Sequence, residues 1–346
     1  MKWNASLIPI ILLAVAFVSC GPVSTEQQPA AVQPAHFHHI HLNSVDPAAA
    51  AEYYAKAFSS VTKGSLAGFE GIRTTSRLAS RAGNIYVLFT KVNTPPPTQP
   101  DSAIWHFGWN TPDARRYMEK FRALNLRILP MYADPDGTVV EISSDAFPGY
   151  PTKQQIADAK AKGATPTHVG GFQYLRGPDG ALIENFGNFP AERFTHVHMH
   201  HADPVCAQWW YATHLGATVA ATHLQLGPTL VGDPGTAGAP GGDCKTPYAA
   251  PTWPAFEKTG AVREPSGYVL FDDVGLPIRP HRGPLVSTRR QTVDHIGLGV
   301  SDLRTTVARL KKEGVTVLEE IHGWGDTRAA MIEGPDQVAL ELVEAK

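Results

Sequence analysis

His39-Ile40-His41-Leu42-Asn43-Ser44-Val45-Asp46-Pro47 is the stretch on which the fold turns, because its opening histidine and the aspartate seven positions later recur three more times. The copies begin His106-Phe107-Gly108-Trp109, His196-Val197-His198-Met199 and His295-Ile296-Gly297-Leu298, and their aspartates are Asp113, Asp203 and Asp302. With 15 histidines in the chain, chance would supply about one such pair, and no other histidine has it. Each opening is a short, mostly apolar run that reads as a strand. Aspartate is a favoured helix N-cap, and Pro47 and Pro204 follow it at the first helical position, where a missing N–H costs nothing. The spacing therefore encodes a strand, a tight turn and a helix start. It predicts helices over 48–58, 114–124, 205–215 and 303–313.

Shorter strand-like runs follow each helix, among them Asn84 to Phe89, Phe172 to Leu175, Tyr268 to Phe271 and Val338 to Glu341. Four βαβββ modules that open in this way resemble the vicinal oxygen chelate superfamily of glyoxalases, bleomycin resistance proteins and type I extradiol dioxygenases. The resemblance covers about residues 36–346 and implies an α+β fold. Tyr53-Tyr54-Ala55-Lys56-Ala57-Phe58 and Trp210-Tyr211-Ala212-Thr213-His214-Leu215-Gly216 are similar to the family's first-module helix. Phe121 to Leu126 and Leu310 to Val315 resemble second-module helices ending at an Asn or Gly cap. The order first, second, first, second implies two domains. One spans 36–190, with modules 36–100 and 101–190; the other spans 191–346, with modules 191–290 and 291–346. In the family, the first strands of paired modules line a shared cavity.

A carboxylate stands where the family places a metal ligand. Gly177-Pro178-Asp179-Gly180 is followed by Glu184, and Gly334-Pro335-Asp336-Gln337 by Glu341, so each Glu lies on the strand leaving a β-turn. Carried over residue by residue, the resemblance implies a metal site of His39, His106 and Glu184 in the first domain and one of His196, His295 and Glu341 in the second. Two imidazoles and a carboxylate suit Fe(II) above all, with Mn(II) or Zn(II) as alternatives. Glyoxalase-type members add a second Glu from the last strand of the first module. The run Tyr86 to Thr90 has none, and Tyr268 to Asp273 offers only Asp272 or Asp273. Tyr174 to Glu184 also matches the extradiol dioxygenase pattern, which gives Tyr174 a catalytic role beside a metal-bound oxygen. Met331 stands at that place in the second domain, so the chemistry is expected in the first.

Other features stay open at this level. His41, His198 and His200 share strand parity with the expected ligands and are further ligands, neighbours of ligands or core residues. Glu141 imitates the ligand pattern from an extra hairpin, and His168 is an acid/base group or an ordinary strand-end histidine. Trp105, Trp109 and Trp324 are core or pocket lining. The Gly/Pro-rich stretch 227–254 is a lid or an insertion, and Cys206 and Cys244 have no metal-like spacing but suit pairing in an oxidising compartment.

Lys2 precedes an apolar run from Leu7 to Val18 that is short for a membrane span, so 1–20 reads as an export signal and 21–35 as a flexible linker. Phe17-Val18-Ser19-Cys20 resembles a lipobox with Phe17 in place of the usual Leu; a lipid anchor on Cys20, plain signal-peptide cleavage and an uncleaved membrane anchor stay open, and each implies an extracytoplasmic, periplasmic or secreted protein. Lys+Arg 30 against Asp+Glu 32, with no basic block, argues against a nucleic-acid partner, and the resemblance implies a small-molecule one. The functions weighed are a dioxygenase-like metalloenzyme acting on vicinal oxygens, a glyoxalase-like isomerase or lyase, and a metal-free binding protein of the resistance type.

Overall fold

Aspartate capping fixes where each helix begins. In the computed structural model, the carboxylates of Asp46, Asp113, Asp203 and Asp302 each accept a hydrogen bond from the backbone N–H three residues on, at Ala49, Arg116, Cys206 and Thr305. The structure describes residues 32–75, 84–130, 132–133, 139–140, 161–163, 171–187, 189–219 and 267–345. The export signal, Cys20, Glu141, His168, Cys244 and the stretch 227–254 lie outside these residues. Among the described residues no helix is long and apolar enough to cross a membrane.

Four βαβββ units follow from the caps. The first holds β1 (His36–Ser44), α1 (Pro47–Ala57), β2 (Thr62–Leu66), β3 (Phe69–Thr75) and β4 (Asn84–Lys91). The second holds β5 (Ile104–Asn110), α2 (Ala114–Ala123), β6 (Arg127–Leu129), a small ladder of β7 (Tyr132–Ala133) and β8 (Val139–Val140), then β9 (Phe172–Arg176) and β10 (Leu182–Phe186). The third holds β11 (Arg193–His201), α3 (Pro204–Leu215), β12 (Thr218–Val219), β13 (Gly267–Phe271) and β14 (Val274–Pro280). The fourth holds β15 (Val293–Val300), α4 (Leu303–Lys312), β16 (Val317–Trp324), β17 (Thr327–Glu333) and β18 (Ala339–Glu344).

The modules pair differently from the expected order. One eight-stranded sheet runs β16-β17-β18-β15-β1-β4-β3-β2 and joins the first module to the fourth; the other runs β12-β13-β14-β11-β5-β10-β9-β6 and joins the second to the third. Domains of residues 36–190 and 191–346 are therefore not the structural units. Chain neighbours meet through helices instead, because the apolar stripe of each helix must bury itself somewhere. Phe58, just beyond α1, stacks on Trp109 of β5 with ring centroids 4.3 Å apart, and Tyr54 packs on Phe107 and Trp109. Likewise His214 of α3 contacts Glu313 at the end of α4, and Arg309 donates to the His214 carbonyl.

Strand alternation sorts the remaining faces. Ile40 and Leu42 of β1 join the helix-side core, while His39 and His41 point to the opposite, concave face. Two turns then tie one sheet to the other. Asp179, at φ 54°, accepts from Ser44 Oγ and Val45 N at the end of β1, and Asp336, at φ 52°, accepts from His201 Nδ1 and Ala202 N at the end of β11. Each turn precedes a strand carrying a site glutamate and grips a strand carrying two histidines of the other sheet.

Candidate metal centres

The pairing of sheets decides which side chains meet. Along β5 and β11, His106 stands opposite His198 and Gly108 opposite His196, while Glu184 of β10 stands beside Gly108. Along β15 and β1 the same lattice recurs: His295 opposite His41, Gly297 opposite His39, and Glu341 of β18 beside Gly297. The expected sets are thus regrouped. His106 and Glu184 join His196, not His39; His295 and Glu341 join His39, not His196. The second and fourth modules each supply an H-x-G strand and a glutamate, and the first and third each supply an H-x-H strand.

In the β5/β11 centre, ligand atoms of His106, Glu184, His196 and His198 lie within 4.8 Å of one another, with all but His198 buried. The three Nε2 atoms stand 2.8, 3.1 and 3.9 Å from Glu184 Oε2. Thr195 Oγ1 donates to Asn110 Oδ1, so at 2.9 Å it must accept from His196 Nδ1–H. His196 Nε2 meets Glu184 Oε2 at 3.1 Å and His106 Nε2 meets it at 2.8 Å, so ring nitrogens from two strands converge on one buried carboxylate oxygen, a donor set that could hold a metal. Burial pushes the His106 pKa down despite Glu184. Burial alone would raise Glu184, but hydrogen bonds and charge from His106 and His196 hold it well below the usual carboxylate range.

The β1/β15 centre repeats the arrangement. His39, His41 and His295 bring their ligand atoms within 4.8 Å, and Glu341 Oε2 lies 3.2 Å from His39 Nε2 and 3.7 Å from His295 Nε2. None of these last three atoms has a hydrogen-bond partner. Buried polar atoms converging without bonding to one another fit a metal better than a self-contained network. Asp294 Oδ1 takes the His295 Nδ1 proton at 2.8 Å, a carboxylate–imidazole pair of the kind that aims Nε2 at a metal. Although burial disfavours the imidazolium, Asp294 and Glu341 push His295 up to about 9, and Glu341 is held well below its ordinary range by His295 and His39. Trp324 stacks on His39 at 5.6 Å and Phe69 meets His41 edge-on at 4.6 Å, so this cavity has apolar walls.

The glycines make these approaches feasible. A Cβ on Gly108 would sit 2.7 Å from the His196 ring and 2.5 Å from the Glu184 carbonyl oxygen, and one on Gly297 would run into the His39 ring. The absent second glutamate is explained by register. Glu341 pairs with the residue two beyond His295; the matching partner of His41 is Leu88, and β14, which pairs with β11, carries no carboxylate. Asp272 and Asp273 lie in the turn before β14, bonded to His36 and Arg193, away from either centre. His41 and His198, left open in the sequence, instead complete each set. The signal was legible: H-x-H opens the modules lacking the glutamate, and H-x-G opens those having it.

Tyr174 stands directly across from Glu184 in the β9/β10 ladder, its ring 5.1 Å edge-on to His106, and Met331 stands across from Glu341. Trp109 is core, Trp105 is 39% exposed beside His106, and His200 stacks on Trp105 rather than joining the ligands. Cys206 is disulfide-bonded.

Paired βαβββ modules with histidine–glutamate centres on their concave faces define a class of metal-chelating fold. Residues 195–342 match the family described as Glyoxalase/Bleomycin resistance protein/Dioxygenase superfamily. Glyoxalase I from Zea mays has a similar structure, with TM-score 0.54, 10% identity, and 90% of this chain and 92% of that one covered. A dioxygenase candidate from Bacillus subtilis is similar at TM-score 0.53 and 10% identity, covering 90% of this chain and 86% of that one. These likenesses concern the fold. No curated protein matches the chain in sequence.

Proposed function

We propose that this protein is a divalent-metal enzyme of dioxygenase type, acting on a small molecule with two adjacent oxygens at the β5/β11 centre. The observation that carries the reading is the convergence of the Nε2 atoms of His106, His196 and His198 on Glu184 Oε2, with all four ligand atoms within 4.8 Å of one another. When bound, the metal supplies Lewis acidity and a template for adjacent oxygens, with Fe(II) the best match to imidazole and carboxylate donors and Mn(II) or Zn(II) compatible. His106, Glu184 and His196, with His198 beside them, would hold the ion and would leave it open to oxygen ligands from a substrate. The residues do the rest. Glu184 and His106 give buried, water-excluded donors, the Asn110–Thr195 chain holds the His196 tautomer, and Tyr174 lies where its phenol can bond a ligand oxygen. The lack of a carboxylate on β14, the strand beside β11, favours this chemistry over the glyoxalase-type isomerase. The apolar leader and the disulfide at Cys206 support export to an oxidising compartment, with Cys20 as lipid anchor.

Anaerobic reconstitution with Fe(II) followed by oxygen should give catechol-dependent O₂ uptake that Glu184→Ala abolishes. Stoichiometric metal without uptake across a panel of catechols would remove the dioxygenase assignment.

A further inference from the structure

The two centres share their ligands but not their walls. Beside the β5/β11 centre lies a cleft of about 350 Å³, lined by Trp105, Arg176, Leu182, His200, Asp101 and Thr292 among others. Trp105 links cleft and centre: its ring contacts His106 at 4.3 Å, His198 at 5.8 Å and Tyr174 at 6.3 Å, and stacks on His200 at 4.8 Å. Arg176 follows Tyr174 by two residues on the same face of β9, about 7 Å along the strand. One guanidinium nitrogen donates to the Gly180 carbonyl, and Arg127 stands opposite across β6. Like charges facing across a strand pair are unfavourable. Among the described residues neither arginine is ion-paired with a carboxylate, whereas Asp101 is engaged by Gln99 and lies near His281.

The corresponding wall of the other centre has the opposite chemistry. Asp294 stands in the place of Trp105, Met331 in that of Tyr174, Glu333 in that of Arg176, and Glu319 lies across from Met331. The β5/β11 centre thus has a tryptophan and an arginine beside it, where the β1/β15 centre has Asp294 and Glu319, both paired with Arg289.

We infer that the β5/β11 centre selects a planar anionic ligand: an aromatic carboxylate bearing adjacent oxygens, its ring against Trp105 and its carboxylate held by Arg176 and Arg127. This rests on the proposed chelation and adds the substrate class. Arg176 lines the cleft with Trp105 and lies about 7 Å along β9 from Tyr174, and Arg offers the planar fork that a carboxylate accepts.

The test is calorimetric titration of Zn(II)-loaded protein with 3,4-dihydroxybenzoate and with catechol. The acid should bind about tenfold more tightly at one site per chain, as a charge-assisted bond to Arg warrants. Arg176→Met should bring that ratio close to one, Arg176→Lys should keep part of it, and Glu333→Gln in the other sheet should leave it unchanged. Equal affinities in the wild-type protein would overturn the inference and leave chelation standing. Failure of both probes on fully loaded protein would overturn the chelating function and the inference with it. Binding of the acid alone that survives metal removal but is lost in Arg176→Met would uphold the anion site and defeat the chelating function.

Discussion

Double replacement of histidines tests the module pairing directly. The structure places His39 with Glu341 in one centre and His106 with Glu184 in the other, so the order of modules along the chain makes the wrong forecast. Buried metal sites bind with roughly 10–16 kcal/mol, and shared over four donors one imidazole carries roughly 3–4 kcal/mol, a factor of 10²–10³ in affinity. That loss should empty a centre during dialysis against a chelator that buffers free metal between the intact and weakened affinities. By metal analysis of dialysed protein, the wild type should hold two equivalents and His39→Ala one. His39→Ala/Glu341→Ala should still hold one, because both changes strike the same centre. His39→Ala/His106→Ala should hold none. His39 is fully buried, so His39→Gln serves as a volume-conserving control should the alanine variant unfold. One equivalent retained by His39→Ala/His106→Ala, with none in His39→Ala/Glu341→Ala, would refute the pairing. Less than about 0.2 equivalents in the wild type, with no loss of stability on chelation, would refute metal binding itself.

Further outcomes follow from single contacts. Gly108→Ala should weaken metal binding at the β5/β11 centre by about 10–100-fold, because the new methyl displaces the His196 ring and the Glu184 backbone cannot yield; unchanged affinity in competition with a chelator would contradict this. The His295 pKa near 9 sets a pH dependence with a definite sign. Its proton stabilises the metal-free fold fully below the unfolded value of about 6.5, and that contribution is lost as pH rises through about 9. Metal must displace that proton, so affinity at the β1/β15 centre should climb about tenfold per pH unit between these values and flatten above; Asp294→Asn should move the plateau to lower pH. Asp336→Ala leaves the buried His201 Nδ1–H and the Ala202 N–H without their acceptor and should cost about 1–3 kcal/mol in urea unfolding, while Asp336→Asn, which keeps an acceptor oxygen, should cost less.

Much of the local architecture is legible in the residues themselves. The four Asp caps, the helices behind them and the glutamates after the Gly-Pro-Asp turns depend on interactions within a few positions, and such short-range chemistry is written in spacing. Even the completed ligand sets leave a trace in the alternation of H-x-H with H-x-G. Which module meets which is different. An opening strand presents the same edge to any partner, so the hydrogen bonds of β1 with β15 are locally no better than those it would make with β5. The choice is made by the helix-side core, where Phe58 and Tyr54 claim Trp109 and Phe107, and by Asp179 and Asp336 gripping strands of the opposite sheet. The sequence by itself determined the modules, their caps and the residue types available to hold a metal. Only the tertiary structure decided that His39 shares a centre with Glu341 and His196 with Glu184, because burying the helices of chain neighbours against each other leaves their opening strands free to join more distant ones.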